Sequence, residues 1–209
     1  MKKILFLLFI LIVNTGYSQN PIQSTLKNYF RTHPFDMKFS NFIASLQQDP
    51  WFTIETYGRR TDTSFFFITG TYKNFNPFRF IPKELRLIVA EEEIIHTDSL
   101  KTLDTIMNLQ LLAISDSGEI NSKLVEKEFK RFHNIQAGRF SSNTSNSFKE
   151  KDGSLTVKVY NYFVSPYLIA PVTIAWGILP GSNQYAFTIT IRFKVKENAA
   201  IYVVSPGEL

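Results

Sequence analysis

Tyr185-Ala186-Phe187-Thr188-Ile189-Thr190-Ile191-Arg192-Phe193-Lys194-Val195 decides the fold. Tyr, Phe and the aliphatic residues take every odd position, while Ala, Thr, Arg and Lys take every even one. A period of two places one set on each face of a strand, so this segment is dry on one side and wet on the other. That pattern belongs to an antiparallel sheet with one covered face.

Working outward, Val172 to Leu179 repeats the alternation, with Val172, Ile174 and Trp176 opposed to Thr173, Ala175 and Gly177. Pro180-Gly181-Ser182-Asn183 turns the chain between the two strands. Further upstream, Phe148 to Lys151 and Ser154 to Phe163 flank Asp152-Gly153, and Asp-Gly suits a tight hairpin because its positions adopt positive φ. The Ser- and Asn-rich residues 139–147 read as an exposed loop. Before them a helix is predicted from Asp116, as N-cap with Glu119 three residues on, to about Gln136. Ile120, Leu124, Phe129 and Phe132 give it an apolar stripe, and Glu126 with Lys130 forms an i, i+4 pair on the wet side.

The first half follows the same order. Ile22, Leu26, Tyr29 and Phe30 mark a short helix that Pro34 ends. Phe35, Phe39, Phe42, Ile43 and Leu46 mark a second, ended by Asp49-Pro50. Trp51 to Tyr57 and Thr63 to Lys73 then form a hairpin around Gly58 to Asp62, rich in the aromatic and β-branched residues that strands favour. A Pro-bearing loop, residues 74–83, holds Phe75, Phe78 and Phe80. Leu85 to Ile95 and Ile106 to Ile114 complete the half, and Ile201 to Val204 adds a short edge strand to the second. Short connections favour antiparallel neighbours. The predicted class is therefore α+β, an antiparallel sheet packed against helices, with residues 35–115 and 119–204 as a tandem α-β4 duplication. A helix-grip half-barrel is the alternative arrangement of the same elements.

The first eighteen residues carry a separate message. Lys2-Lys3 precedes ten apolar residues, Ile4 to Val13, and then Asn14-Thr15-Gly16-Tyr17-Ser18. A basic start, a short apolar run and a small-residue exit describe a secretory signal peptide cleaved before Gln19. Ten apolar residues span only about half of a bilayer core roughly 30 Å thick. Residues 19–209 then form a single secreted domain. Loss of Lys2 and Lys3 takes 23 basic residues to 21 against 18 acidic ones, a net charge of +3 that does not point to nucleic acid. No stretch after residue 18 is long and apolar enough for a transmembrane span. The chain has no cysteine, which removes disulfides, Cys-ligated metal, a Cys nucleophile and a lipidated N-terminal Cys. The expected location is periplasmic or extracellular, soluble and without a lipid anchor.

Chemistry is harder to find. GxSxG, SxxK, HExxH and Gly-rich phosphate-loop patterns are absent, so no catalytic residue and no cofactor is assigned. Glu91, Glu93, His96 and Asp98 form the one acidic and imidazole cluster, a candidate metal or acid–base set at a strand end. Trp51, Phe52, Tyr57, Arg59 and Arg60 gather aromatic rings and guanidinium groups around the first hairpin. Such side chains bury large area at low entropy cost and suit recognition of a protein or glycan partner. The leading expectation is an exported, non-enzymatic binding module for a protein or glycan. A carrier of a lipid or other apolar ligand is the first alternative, and a metal-dependent hydrolase using residues 91–98 is the second.

Overall fold

A computed structural model describes residues 21–34, 37–59, 66–95, 103–140, 142–149, 155–163, 170–179 and 181–193. The signal segment, Arg60, the Asp152-Gly153 turn, His96, Asp98 and the strand expected at Ile201 to Val204 lie outside them. Among the described residues, three helices, α1 (Pro21–Tyr29), α2 (Phe39–Gln48) and α3 (Glu119–Gln136), accompany eight strands. The first four are β1 (Phe52–Arg59), β2 (Phe66–Tyr72), β3 (Glu84–Ile95) and β4 (Leu103–Ser117). The others are β5 (Ser142–Lys149), β6 (Leu155–Phe163), β7 (Val172–Ile178) and β8 (Gln184–Phe193). The fold is α+β, as the strand alternation requires.

All eight strands join one antiparallel sheet in the order β1-β2-β3-β4-β8-β7-β6-β5. Two four-stranded meanders meet where β4 pairs with β8, Leu111 opposite Ile189 and Leu109 opposite Ile191. Among the described strands, β1 and β5 are the two edges.

The helices cover one face. Ile68, Leu87, Leu109, Leu111, Ile189, Ile191 and Ile174 are buried there, each on the dry side of its strand. α2 contributes Phe42, Ile43 and Leu46, and Phe39 packs edge-on against Phe66 of β2. α3 lays Phe129 against Tyr160, Trp176 and Phe187, and Phe132 against Phe187 and Tyr162. α1 reaches this core through Tyr29, whose ring meets Phe78 and Phe132. Each fully buried ring of this kind stabilises the fold by roughly 1.5–3 kcal/mol.

Several local expectations are corrected. Residues 142–149 are an edge strand and not a loop: their Ser and Asn residues pair residue by residue with β6 while all eight remain exposed. A strand with nothing packed on either face shows no apolar period, so its composition reads as loop. The N-cap of α3 is Gly118, at φ 111°, and not Asp116, because β4 runs on to Ser117 and pairs it with Gln184. Asp116 instead faces Lys83 at 3.2 Å. The buried stripe of α3 is Val125, Glu128, Phe129, Phe132 and Gln136, leaving Ile120 and Leu124 exposed. In the 74–83 loop Phe78 and Phe80 are buried and stack on each other. Asn76 ties that loop, its Nδ2 donating to the Phe80 carbonyl at 2.8 Å and its Oδ1 accepting from the Phe78 amide at 2.9 Å.

Candidate functional site

The aromatic and guanidinium group of the first hairpin does not form one cluster. A register shift between Ile54 and Thr56 inserts Glu55 as a bulge. An extra residue resets the alternation, so Phe52 and Ile54 before it and Tyr57 after it all point to the helix side. Phe52 is core, its ring tilted against Tyr72 with centroids 4.9 Å apart. Tyr57 is 54% exposed and touches Phe66 edge-on. Trp51 is 38% exposed and lies before the strand. Six residues of extended chain separate Trp51 from Tyr57, roughly 20 Å. The side chains of Arg59 and Arg60 lie outside the described residues.

Trp51 has a partner that its neighbours in sequence do not suggest. The Arg31 guanidinium sits over its ring, 3.9 Å from the centroid, and Arg31 Nε donates to both carboxylate oxygens of Asp49 at 3.1 and 2.8 Å. Asp49 Oδ1 also accepts from the Trp51 amide at 3.0 Å. Beside this stack is a shallow cavity of about 450 Å³ lined by Arg31, Thr32, Ser45, Gln48, Asp49 and Pro50. The carboxylate cancels the guanidinium charge, so this corner fixes α2 to β1 and offers no free charge to a ligand.

Of the acidic and imidazole set, only the Glu91 side chain is described. It is half-buried and its Oε2 accepts from the Phe66 amide at 2.6 Å, which ties β3 to the start of β2. The side chains of Glu93, His96 and Asp98 lie outside the described residues. Among the described residues no three His, Asp or Glu side chains gather as a metal site.

The larger feature is the sheet face that no described helix covers. Strand register aligns one residue from each strand into a row across it: Thr56, Thr69, Ile88, Gln110, Thr190, Thr173, Asn161 and Thr144. Seven of these eight carry an uncharged hydroxyl or amide. Gln110 Nε2 donates to Thr190 Oγ1 at 3.3 Å, and Thr173 Oγ1 donates to Asn161 Oδ1 at 3.0 Å. Arg192 Nη1 donates to Thr173 Oγ1 at 2.7 Å and to the Ala170 carbonyl at 3.1 Å. The adjacent row reads Thr53, Thr71, Arg86, Leu112, Thr188, Ala175, Val159 and Asn146. Thr56 and Thr144 are exposed, Thr190 is buried, and Thr69, Gln110, Thr173 and Asn161 are half-buried. The wet positions of the alternating strands announce such a face. Its continuity across both meanders depends on the β4–β8 register, which sequence does not state.

On the covered side, His133 stacks on Tyr160 with centroids 3.8 Å apart, and its Nδ1 lies 2.9 Å from the Tyr162 hydroxyl. Burial, and then the neighbouring Tyr160, push the Tyr162 phenol well above its ordinary range. Burial first and the Lys158 ammonium second hold His133 below its ordinary value. Both shifts favour the neutral forms of the pair, and the imidazole tautomer sets which of the two donates. Nearby, the buried Glu128 carboxylate accepts from Arg131 Nε at 3.0 Å and from Arg131 Nη2, which also donates to Tyr29 Oη at 2.9 Å. These groups join α3 to β6 and to α1, and all of them have structural partners.

Compared with known proteins, the chain matches no family model, no curated protein and no solved structure.

Proposed function

We propose that this chain is an exported, non-enzymatic binding module that recognises a protein or glycan partner on the helix-free face of its sheet. The continuous uncharged row from Thr56 to Thr144 carries this reading. Hydroxyls and amides both donate and accept, so they match sugar hydroxyls and peptide groups without demanding a charge of either sign. The row contains no titratable group, so it is equipped to hold a partner and not to move a proton. Trp51, Tyr57, Arg59 and Arg60 stay in this proposal as a second contact region apart from the row, supported by the exposure of the two rings, with Tyr57 on the helix side of β1. Phe52 serves the core.

Export to the periplasm or beyond rests on Lys2-Lys3, the Ile4–Val13 run and the small residues before Gln19. The two meanders, each preceded by a helix, support the reading of a tandem α-β4 duplication.

N-terminal sequencing of material recovered outside the cytoplasm is expected to begin at Gln19; an intact Met1 overturns export. For binding, the immobilised mature chain is run against a glycan array and an extracytoplasmic protein fraction, beside a Thr53→Lys/Thr56→Lys variant, both positions exposed on that face. Surface changes of this kind alter stability by only about ±0.5 kcal/mol, so the variant keeps its melting temperature. At least one glycan or protein is expected to be retained by the wild type and lost by the variant. Equal retention by both, or none by either, overturns the face as the binding surface.

A further inference from the structure

The two edges of the sheet are built differently. β1 carries a bulge at Glu55, the charged residues Glu55 and Arg59, and Gly58 at φ 156°, next to the hairpin end. Bulges and charges are how sheets keep their edges from pairing with other strands. β5 has none of these between Ser142 and Phe148: no charge, no Pro, and no register shift until Phe148/Lys149. Among the described residues β5 pairs with β6 alone, and all eight of its residues are exposed. Its outward backbone groups are a ready template for another strand.

We propose that this edge is a homodimer interface, in which β5 of one chain pairs antiparallel with β5 of a second copy. Face parity and the length of the regular ladder select the register. A two-fold axis perpendicular to the sheet must set residues of like face opposite one another, so paired residue numbers sum to an even value. The regular ladder spans Ser142 to Phe148, and its midpoint is Ser145. With the axis there, all seven residues find a partner: Ser145 opposite its own copy, Thr144 opposite Asn146, Asn143 opposite Ser147, and Ser142 opposite Phe148. No like charges meet, and Thr and Asn side chains can hydrogen-bond across the seam. Phe148, 60% exposed on the helix-free face, gains cover because Ser142 of the copy is itself paired with Phe163. The two sheets become one of sixteen strands, and the helix-free faces run on from one copy to the other.

The absence of cysteine makes the register measurable. Ser145→Cys introduces the only thiol, and in this dimer it lies opposite itself, within the ~4.4–6.8 Å Cα separation a disulfide needs. Asn143→Cys, on the same face, is displaced from its own copy by four residues, roughly 13 Å, and is out of reach. Under mild oxidation S145C is expected to form a covalent dimer at least ten times faster than N143C. Sedimentation of the wild type is expected to show a dimer that Ser145→Lys, which places two ammonium groups on the axis, converts to monomer with an unchanged circular dichroism spectrum. A wild type that stays monomeric at several hundred micromolar, equal cross-linking of S145C and N143C, or a dimer that survives S145K overturns the proposal.

Discussion

At the scale of single residues, two positions set limits that composition alone does not reveal. Gly70 sits in the middle of β2 beneath the Phe52 ring. A Cβ added there would lie 2.5 Å from Phe52 Cζ and inside contact distance of the Thr53 carbonyl oxygen. The ring can turn, but the Thr53 carbonyl is part of the β1–β2 ladder and cannot move without opening it. Gly70→Ala is therefore expected to destabilise by about 1–3 kcal/mol in urea denaturation, as overpacking does. A wild-type midpoint for that variant would show β1 free to shift. Glu128 is the second position, 3% exposed on a helix face it shares with Val125, Phe129, Phe132 and Gln136. Its charge is tolerable because Arg131 covers both oxygens and then passes a bond to Tyr29. Removing one partner of a buried pair costs roughly 3–5 kcal/mol because the other charge stays buried. Arg131→Met should lose that much, and adding Glu128→Gln should restore part of it. A loss below about 1 kcal/mol would mean that Glu128 finds water or another donor once Arg131 is gone.

At the scale of elements, the docking of α3 on β6 runs through His133, Tyr160 and Tyr162, which makes it sensitive to pH. The folded state holds His133 below its ordinary pKa, so below about pH 6.5 the unfolded chain binds more protons at this residue than the folded one. Its contribution to stability is present above pH 6.5 and is lost as pH falls through the folded value. His133→Gln should flatten the decline in stability between pH 6.5 and 5 relative to the wild type, measured by urea midpoints at matched ionic strength. Parallel declines would place the acid sensitivity elsewhere. One-sided burial also explains what is legible in the sequence. Period-two and period-3.6 patterns locate β2, β3, β4, β7, β8 and both longer helices to within a few residues, because each buries one face against the core. β5 buries neither face, so its strand character is set by β6 and is invisible in Ser142 to Ser147. The stripe on α3 is misread for the opposite reason: Glu128 and Gln136 are polar and buried, while Ile120 and Leu124 are apolar and exposed. The Arg31–Trp51 stack joins residues twenty apart with Asp49 between them, and only the close of α2 against β1 brings them together.

At the scale of the whole molecule, the question is whether the two meanders are one folding unit or two. Each could be imagined as a separate layer with its own helix, yet the contacts cross the seam. β4 and β8 pair from Met107/Phe193 to Ser117/Gln184 at the centre of the sheet. α3, which begins the second meander, packs on β4 as well as on β7 and β8. Phe78, from the loop of the first meander, meets Phe187 of β8 edge-on, and Tyr29 of α1 meets Phe132 of α3. Splitting the molecule at the seam would expose Leu109, Leu111, Ile189 and Ile191, all fully buried at present. A boundary that buries apolar area of this kind melts with the core on both sides of it, so unfolding should be a single two-state transition. The chain supplies its own reporters, because its two tryptophans fall one in each half, Trp51 just before β1 and Trp176 in β7. Trp176→Phe leaves fluorescence from the first meander alone, and Trp51→Phe leaves it from the second. Each variant shifts stability by its own amount, so the comparison is made within a variant, between its tryptophan signal and its far-ultraviolet circular dichroism. For one cooperative unit the two signals share a midpoint within about 2 °C in both variants. If the tryptophan of either half melts well before the backbone signal, the seam is a boundary between two units and the central pairing of β4 with β8 is the first contact to fail.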